Sequence, residues 1–444
     1  MTSPATLSMP DPIVARLEKA EAALAECRDV PDAKKVAALA RAAEVYARRA
    51  NLGREVIDHA HAIVIRAQTL MGRMLKRAEK NTGGRPEKKT GSRSEPVLTA
   101  APTLADIGIS KRESSDMQAL ADLEETAPEL HAQVEAGKTT VSKARVEVRR
   151  REKHVEMKAK AAANAGMPND WQIVTGDCLA EIPRLAEQPR LIFADPPYNI
   201  GIDYGEGQRA DRRPKIDYLA WCDQWIRACH AALTDDGSLW VLINHENEAY
   251  FDLMLRHDVL INAGEPAAGG LPRGAFVALT DTTRFHVRSW VTWYETFGTN
   301  CTEKFNRTSR RLFHCVKDPN RFVFHADAVN RISIRQMIGD KRANPWGKCW
   351  DDVWHIDRVP GTAAERIADF PTQLPLDLLR PVIGCASDPG DLVFDPFSGS
   401  GTTGEAAIEL GRHYVGIEQS ATFADLSWLR LKGVTPAAAA QQRA

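Results

Sequence analysis

Leu191-Ile192-Phe193-Ala194-Asp195-Pro196-Pro197-Tyr198-Asn199 is an apolar run that stops at a carboxylate, two prolines and an aromatic ring. Four apolar residues bounded by a turn signal predict a strand buried on both faces, and hence a parallel sheet. The polar corner then leaves that sheet at its carboxyl end, where open α/β sheets bind ligands. The rings of Pro196 and Pro197 fix φ at about −65° and remove two backbone donors, so Asp195 and the Pro196 carbonyl stand as acceptors beside Tyr198. Such a corner suits a planar molecule that carries an amino group. A solvated Asp at a Pro-Pro turn explains the same letters, so a second stretch has to decide.

That stretch is Asp391-Leu392-Val393-Phe394-Asp395-Pro396-Phe397-Ser398-Gly399-Ser400-Gly401-Thr402-Thr403-Gly404, which reads as strand, glycine-rich turn and helix start. Arg412 to Ile417 gives the next strand, tipped by Glu418. Glycines let backbone approach a ligand, a helix N-terminus offers unpaired amides, and an acidic side chain one strand later accepts ribose hydroxyls. No Lys follows the glycines, which argues against a nucleoside triphosphate.

Outward from these two stretches, Trp171–Thr175 and Gly237–Asn244 read as further strands, with helices over 179–185 and 216–232. The strands at 171 and 191 flank one helical run, a βαβ pattern that predicts parallel pairing. Residues 261–283 hold Gly264, Gly269, Gly270 and Gly274 and look like an inserted loop. Phe285–Tyr294 and Arg311–Phe324 alternate aromatic, apolar and basic residues, which suggests strands or a hairpin near Asp318-Pro319-Asn320. Between Arg284 and Trp354, basic residues interleave with tryptophans, which favours a nucleic-acid surface over a merely polar sheet face.

Ahead of the α/β part, residues 12–81 are helical in pattern, and packing or oligomerisation is their plainest role. Residues 83–102 form a basic Gly/Pro linker. Leu104 to Ser115 has the rhythm of a helix-turn-helix, with Gly108 at the turn, Ser110 and Glu113 as a capping box, and Lys111 and Arg112 opening the second helix. A Lys/Arg-rich helix follows over 140–163. The expected organisation is a helical region over 1–82, the linker over 83–102, a helix-turn-helix-like segment with its basic connector over 103–165, and a catalytic domain over 166–444. Target recognition is expected near 200–215 and 250–350.

A chain of 444 residues with 43% hydrophobic and 26% charged residues suits a soluble globular protein with a sizeable core. The net charge of −1 hides basic segments at 76–93 and 143–160. Eight scattered cysteines without a Cys-x-x-Cys pair, no secretory leader pattern over 1–13 and no bilayer-length apolar run predict reduced thiols, a cytoplasmic location and no membrane role. His314, His325, His355 and His413 lack ligand spacing, so no metal is expected. The absence of a Pro-Cys dipeptide argues against a covalent cysteine route to C5 of cytosine.

Asp-Pro-Pro-Tyr-Asn followed much later by Phe-Asp-Pro-Phe-Ser-Gly-Ser-Gly-Thr-Thr resembles the S-adenosylmethionine-dependent DNA amino-methyltransferases of the permuted, beta-class order, in which the catalytic corner precedes the cofactor loop. The resemblance spans roughly 171–431 and includes Gly176-Asp177 and Phe370-Pro371-Thr372-Gln373. It implies a Rossmann-like sheet and a catalytic set of Asp195, Pro196, Pro197 and Tyr198. The implied cofactor set is Asp177, Cys178, Asp395, Pro396, Phe397, Ser398, Gly399, Ser400, Gly401, Thr402, Glu418, Thr372 and Gln373. Glu418 would take the ribose hydroxyls, Asp177 the adenine amino group, and Phe397, Ser398, Gly399 and Gly401 the methionine end, with Thr372 and Gln373 closing the pocket from another element. Leu374 stands where the family more often carries Lys, and the 261–284 insertion has no familiar counterpart.

The implied activity is methylation of a flipped base in a specific site of double-stranded DNA, as in restriction-modification systems, with no nuclease within the chain and a homodimer left open. Adenine N6 is favoured because many N4 enzymes carry Ser where this chain has Asp195. Cytosine N4 is the alternative, followed by RNA methylation and a non-catalytic DNA-binding regulator.

Overall fold

The computed structural model describes residues 12–77, 103–166, 169–202, 211–262, 276–295, 301–361, 363–367 and 370–434. The basic linker at 83–102, residues 203–210 of the expected recognition loop and residues 263–275 of the insertion lie outside them. The chain divides into two compact units, 1–152 and 153–444.

The first unit is helical: α1 (Pro12–Glu26), α2 (Val30–Arg49), α3 (Arg54–Arg77), α4 (Lys111–Thr126), α5 (Pro128–Glu135) and the start of α6 (Val141–Ala163). Asp29 caps α2 by accepting the Asp32 amide at 2.8 Å, with Pro31 in the first turn. The small buried residues Ala33, Ala37, Ala40, Ala60 and Ala67 let α2 and α3 approach closely around Ile63, Val64 and Met71. The capping box is present as read: Ser110 accepts the Glu113 amide at 3.2 Å and Glu113 accepts the Ser110 amide at 2.9 Å. The short helix that the helix-turn-helix reading places ahead of Gly108 is instead a turn. Asp106 accepts from both the amide and the hydroxyl of Thr103, and Gly108 leaves at φ +63°, so the chain enters α4 directly.

The second unit contains β1 (Trp171–Thr175), α7 (Cys178–Glu181), β2 (Leu191–Ala194), α8 (Lys215–Ala232), β3 (Ser238–Ile243), α9 (Glu248–Arg256), β4 (His257–Asn262), β5 (Phe276–Thr283), β6 (His286–Tyr294) and β7 (Ser309–Val316). Then come β8 (Asn330–Arg331), α10 (Ile334–Met337), β9 (Lys348–Cys349), β10 (Val353–His355), α11 (Leu376–Ala386), β11 (Leu392–Asp395), α12 (Thr402–Glu409), β12 (His413–Glu418) and α13 (Ala421–Lys432). Among the described residues the main sheet has the order β1-β12-β11-β2-β3-β7-β6-β10. Its first five strands are mutually parallel, and β7 runs against both neighbours.

The βαβ reading is half met. β1 and β2 are parallel, but β11 and β12 from the far end of the sequence lie between them. The hairpin expected at 318–320 lies earlier: β6 and β7 pair through the 295–308 connection, and Asp318 makes a local turn after β7 by accepting the Asn320 amide. Nor is 261–283 simply a loop. Its apolar runs pair as β4 and β5, and its four glycines fall within 263–275, outside the described residues.

Successive side chains of β2 serve two cores. Ile192 and Ala194 join Cys222, Trp225, Ile226 and Cys229 of α8, while Leu191 and Phe193 join Leu378, Leu379 and Val382 of α11 and Ala406 and Ala407 of α12. Each Leu, Ile, Val or Phe among them contributes about 1.5–3 kcal/mol on burial. Because α8 leaves β2 toward one face and α12 leaves β11 toward the other, the sheet has a topological switch point between these neighbours. Crevices at such points, outside the carboxyl ends, are where open sheets hold ligands.

Candidate active site

At the switch point, Asp195 directly follows β2, β11 ends in Asp395, and β12 ends in Glu418. A cavity of about 250 Å³ opens there. Tyr198 and Phe397, far apart in the sequence, both line it. So do Asp177, Cys178, Asp195, Pro197, Thr372, Asp395, Pro396, Ser398, Gly399, Ser400, Thr402 and Glu418. Of the residues singled out in the sequence, Pro196, Gly401 and Gln373 stand behind this wall.

Asp195 lies deep among heavy atoms yet keeps one face on the cavity. Burial pushes its carboxyl up to about 6, while Arg310 and the Tyr198 hydroxyl pull it back. Tyr198 donates that hydroxyl to Asp195 Oδ1 at 2.5 Å. The corner is fastened from three sides. Tyr218 donates to the Pro197 carbonyl at 2.9 Å, Asn247 Nδ2 donates to the Tyr198 carbonyl at 3.2 Å, and Asn199 turns out at φ +61°. The Asp211 carboxylate accepts the amides of Asn199, Ile200, Gly201 and Ile202 at 2.9–3.2 Å, pinning the two ends of the loop that follows.

The glycine turn is shaped by its own acids. Asp395 accepts the Phe397 amide at 2.8 Å and the Thr403 hydroxyl at 2.6 Å, and burial pushes its carboxyl up to about 7. Glu418 accepts the Gly399 amide and the Ser420 amide, each at 2.9 Å. Arg430 pairs with Glu405 and donates to Thr402 Oγ1 at 2.8 Å, tying α13 to the start of α12. The Phe397 ring meets Trp225 edge-on at 5.3 Å between centroids. Gln373 is buried, donating to the Glu365 carbonyl at 2.6 Å and accepting the Ile367 amide at 2.7 Å, and so shapes the segment that brings Phe370 and Thr372 to the wall. Asp177 caps α7 through the Leu179 amide at 2.9 Å. Burial drives the Cys178 thiol up to about 12, which leaves it an inert wall residue.

Sequence reading missed Asp211, Arg213, Tyr218, Trp221 and Arg310, all of which line the cavity. Asp211 and Tyr218 carry no local signal, and Arg310 was visible only as one cation in a basic stretch. Among the described residues no three His, Cys, Asp or Glu side chains gather where they could hold a metal ion.

A family model described as DNA methylase (N6_N4_Mtase) matches residues 190–428. DNA adenine methyltransferase YhdJ of Escherichia coli K12 is 30% identical over 272 residues, covering 58% of this chain and 82% of that protein. Type II methyltransferase M.ScaI of Streptomyces caespitosus is 29% identical over 273 residues, covering 60% and 82%. The solved M1.HpyAVI–SAM complex aligns at 19% identity and a TM-score of 0.39 over 59% of this chain and 98% of that one. With its matched segment spanning both the Asp195 corner and the Glu418 strand tip, the chain belongs to the N6/N4 DNA methylases, the S-adenosylmethionine-dependent amino-methyltransferases of DNA.

Proposed function

We propose that the chain methylates the exocyclic N6 of an adenine flipped out of a specific site in duplex DNA. The shared cavity carries this proposal, since it joins an acceptor corner to a glycine turn across the switch point. Its donor set suits S-adenosylmethionine: the Asp177 and Glu418 carboxylates for hydroxyl and amino groups, and the Phe397 ring and the acids around it for a cationic centre. When bound, that cofactor supplies an electrophilic methyl group on a sulfonium.

The remaining chemistry belongs to the chain's own residues. A base inside a duplex cannot reach this cavity, so it must be flipped at a cost of a few kcal/mol, offset in part by stacking on Tyr198. Asp195, charged above about pH 6, and a carbonyl of the Pro-Pro corner accept hydrogen bonds from the amino group and turn its lone pair toward the methyl group. The nitrogen gives up its proton after it has become cationic, so Asp195 orients and need not act as a strong base. Asp at position 195 and the adenine-specific relative YhdJ support N6 over cytosine N4.

In this proposal the loop at 200–215 and the basic, tryptophan-rich stretch within 250–350 read the target, and the helical region adds contacts to the DNA backbone. The enzyme would act in the cytoplasm, with cleavage left to other chains and a homodimer as the assembly to look for. Expression of the full chain in a methylation-free host, followed by sequencing that detects modified bases, tests all of this together. N6-methyladenine at a defined site is expected, and Asp195→Ala should abolish it while cofactor binding persists. N4-methylcytosine alone would overturn the choice of base, and unmodified DNA the proposal.

A further inference from the structure

Arg310 belongs to neither motif and reaches the cavity from β7, on the antiparallel side of the sheet. Its guanidinium lies 5.8 Å from the centre of the Tyr198 ring and 5.1 Å from that of Trp293, its partner across the β6–β7 ladder. Nε donates to Glu295 Oε1 at 3.0 Å. Glu295 is itself buried, and its other oxygen has no hydrogen-bond partner among the described residues. Trp293 is fully buried and anchored by Nε1 donating to the Ile356 carbonyl at 2.8 Å. A buried carboxylate and a buried ring thus converge on one side chain, and that side chain faces the catalytic corner. Burying an ion pair is costly, and replacement by apolar residues is often neutral or stabilising, so stability alone gives little reason to keep this one.

We infer that Arg310 is a positioning residue for methyl transfer: it holds the Tyr198 ring from the β7 side and, through the Tyr198–Asp195 hydrogen bond, fixes the Asp195 carboxylate as an acceptor. This rests on the proposed role of Asp195. Burial opposes the guanidinium charge, but Tyr198, Glu295 and Asp195 outweigh it and hold Arg310 protonated throughout the working range. The groups facing Asp195 are Tyr198 on its own turn, Asp395 from β11, with Glu418 of β12 beyond it, and Arg310 from β7 backed by Glu295. Asp211 and Arg213 line the same cavity. Arg310 is therefore a cation that offsets the burial of Asp195.

The test uses full-length Arg310→Met and Arg310→Lys, with kcat, KM for DNA and cofactor affinity followed from pH 5 to 9. Arg310→Met should lower kcat about 10–100-fold and move the acid limb of the kcat profile alkaline by about 1–3 pH units, with cofactor affinity unchanged. Arg310→Lys restores a cation but not the planar fork, so its acid limb should stay in place while kcat remains reduced. An acid limb that does not move in Arg310→Met overturns the inference, as does wild-type kcat in Arg310→Lys. If Arg310→Met does not fold, the Lys variant still decides through its kcat. Failure of the wild-type chain to methylate DNA would count against the proposed function, whereas methylation by wild type and Arg310→Met alike counts against this inference alone.

Discussion

Asp395 is only 2% exposed and sits beside a second acid, Asp195, with its charge answered by one amide and one hydroxyl. Burial raises its carboxyl from the ordinary 3.8 to about 7, and the charges of Asp195 and Glu418 add to the rise. A folded value above the unfolded one means that the protonated acid favours the fold. Its contribution is complete below about pH 4 and is lost as pH rises through about 7. Asp395→Asn retains the acceptor for the Phe397 amide and removes the titration. Thermal unfolding of the cofactor-free chain at several pH values should therefore show wild type losing about 1–3 kcal/mol relative to the variant between pH 4 and 8. Parallel curves would mean that Asp395 does not titrate in this window. At this scale the site was legible where chemistry and backbone share a short segment, as at Asp195 to Tyr198 and Asp395 to Gly401. Arg310 and Asp211 escaped because their roles exist only after register and loop closure bring them to the corner. Gln373 was assigned to the cofactor, yet its amide is already used within its own segment.

The glycine turn between β11 and α12 shows why an element needs particular residues at particular points. Gly399 and Gly401 stand at φ +52° and +73°. A Cβ at Gly399 would strike the Phe370 ring, and one at Gly401 the Ser427 side chain. Gly401→Ala combines a left-handed backbone with that contact, so the catalytic unit should lose about 1–3 kcal/mol. Calorimetry of the full chain, together with a cofactor titration, checks this: an unshifted transition at wild-type affinity would show that the turn relaxes freely. Strands flanking such turns were legible because each is a short apolar run. Their neighbours were not, since local pattern gives no hint that β11 and β12 insert between β1 and β2. The misplaced hairpin has the same origin. Asp318-Pro319-Asn320 does turn the chain, but β7 pairs with β6 across 295–308, a long connection without a compact signal.

Across the whole molecule, the DNA methylase match begins at residue 190, so α1 to α6 need an account of their own. In α6 much of the charge is answered locally: Arg150 and Arg151 pair with Glu147, Arg151 also with Glu129, and Lys153 and Lys160 with Glu156. Surface pairs of this kind are worth little and leave less net charge for a phosphate backbone than the sequence suggests. The start of α4 differs. Lys111 and Arg112 are exposed in its first turn, where the helix dipole disfavours cations, while Glu113 is drawn into the capping box. Two cations added to a positive helix end make a local field suited to phosphate, in keeping with the proposed backbone contacts. Each phosphate neutralised adds about 0.9 to the slope of log affinity against log salt. Lys111→Glu with Arg112→Glu should therefore flatten that slope by about 2 in the full chain, equally on target and unrelated duplexes, while kcat at saturating DNA stays at the wild-type value. Binding isotherms between 50 and 250 mM salt, about the range over which phosphate contacts dominate, give the slope directly. An unchanged slope would assign α4 to packing alone, and a loss confined to the target duplex would make these residues base readers instead of backbone contacts.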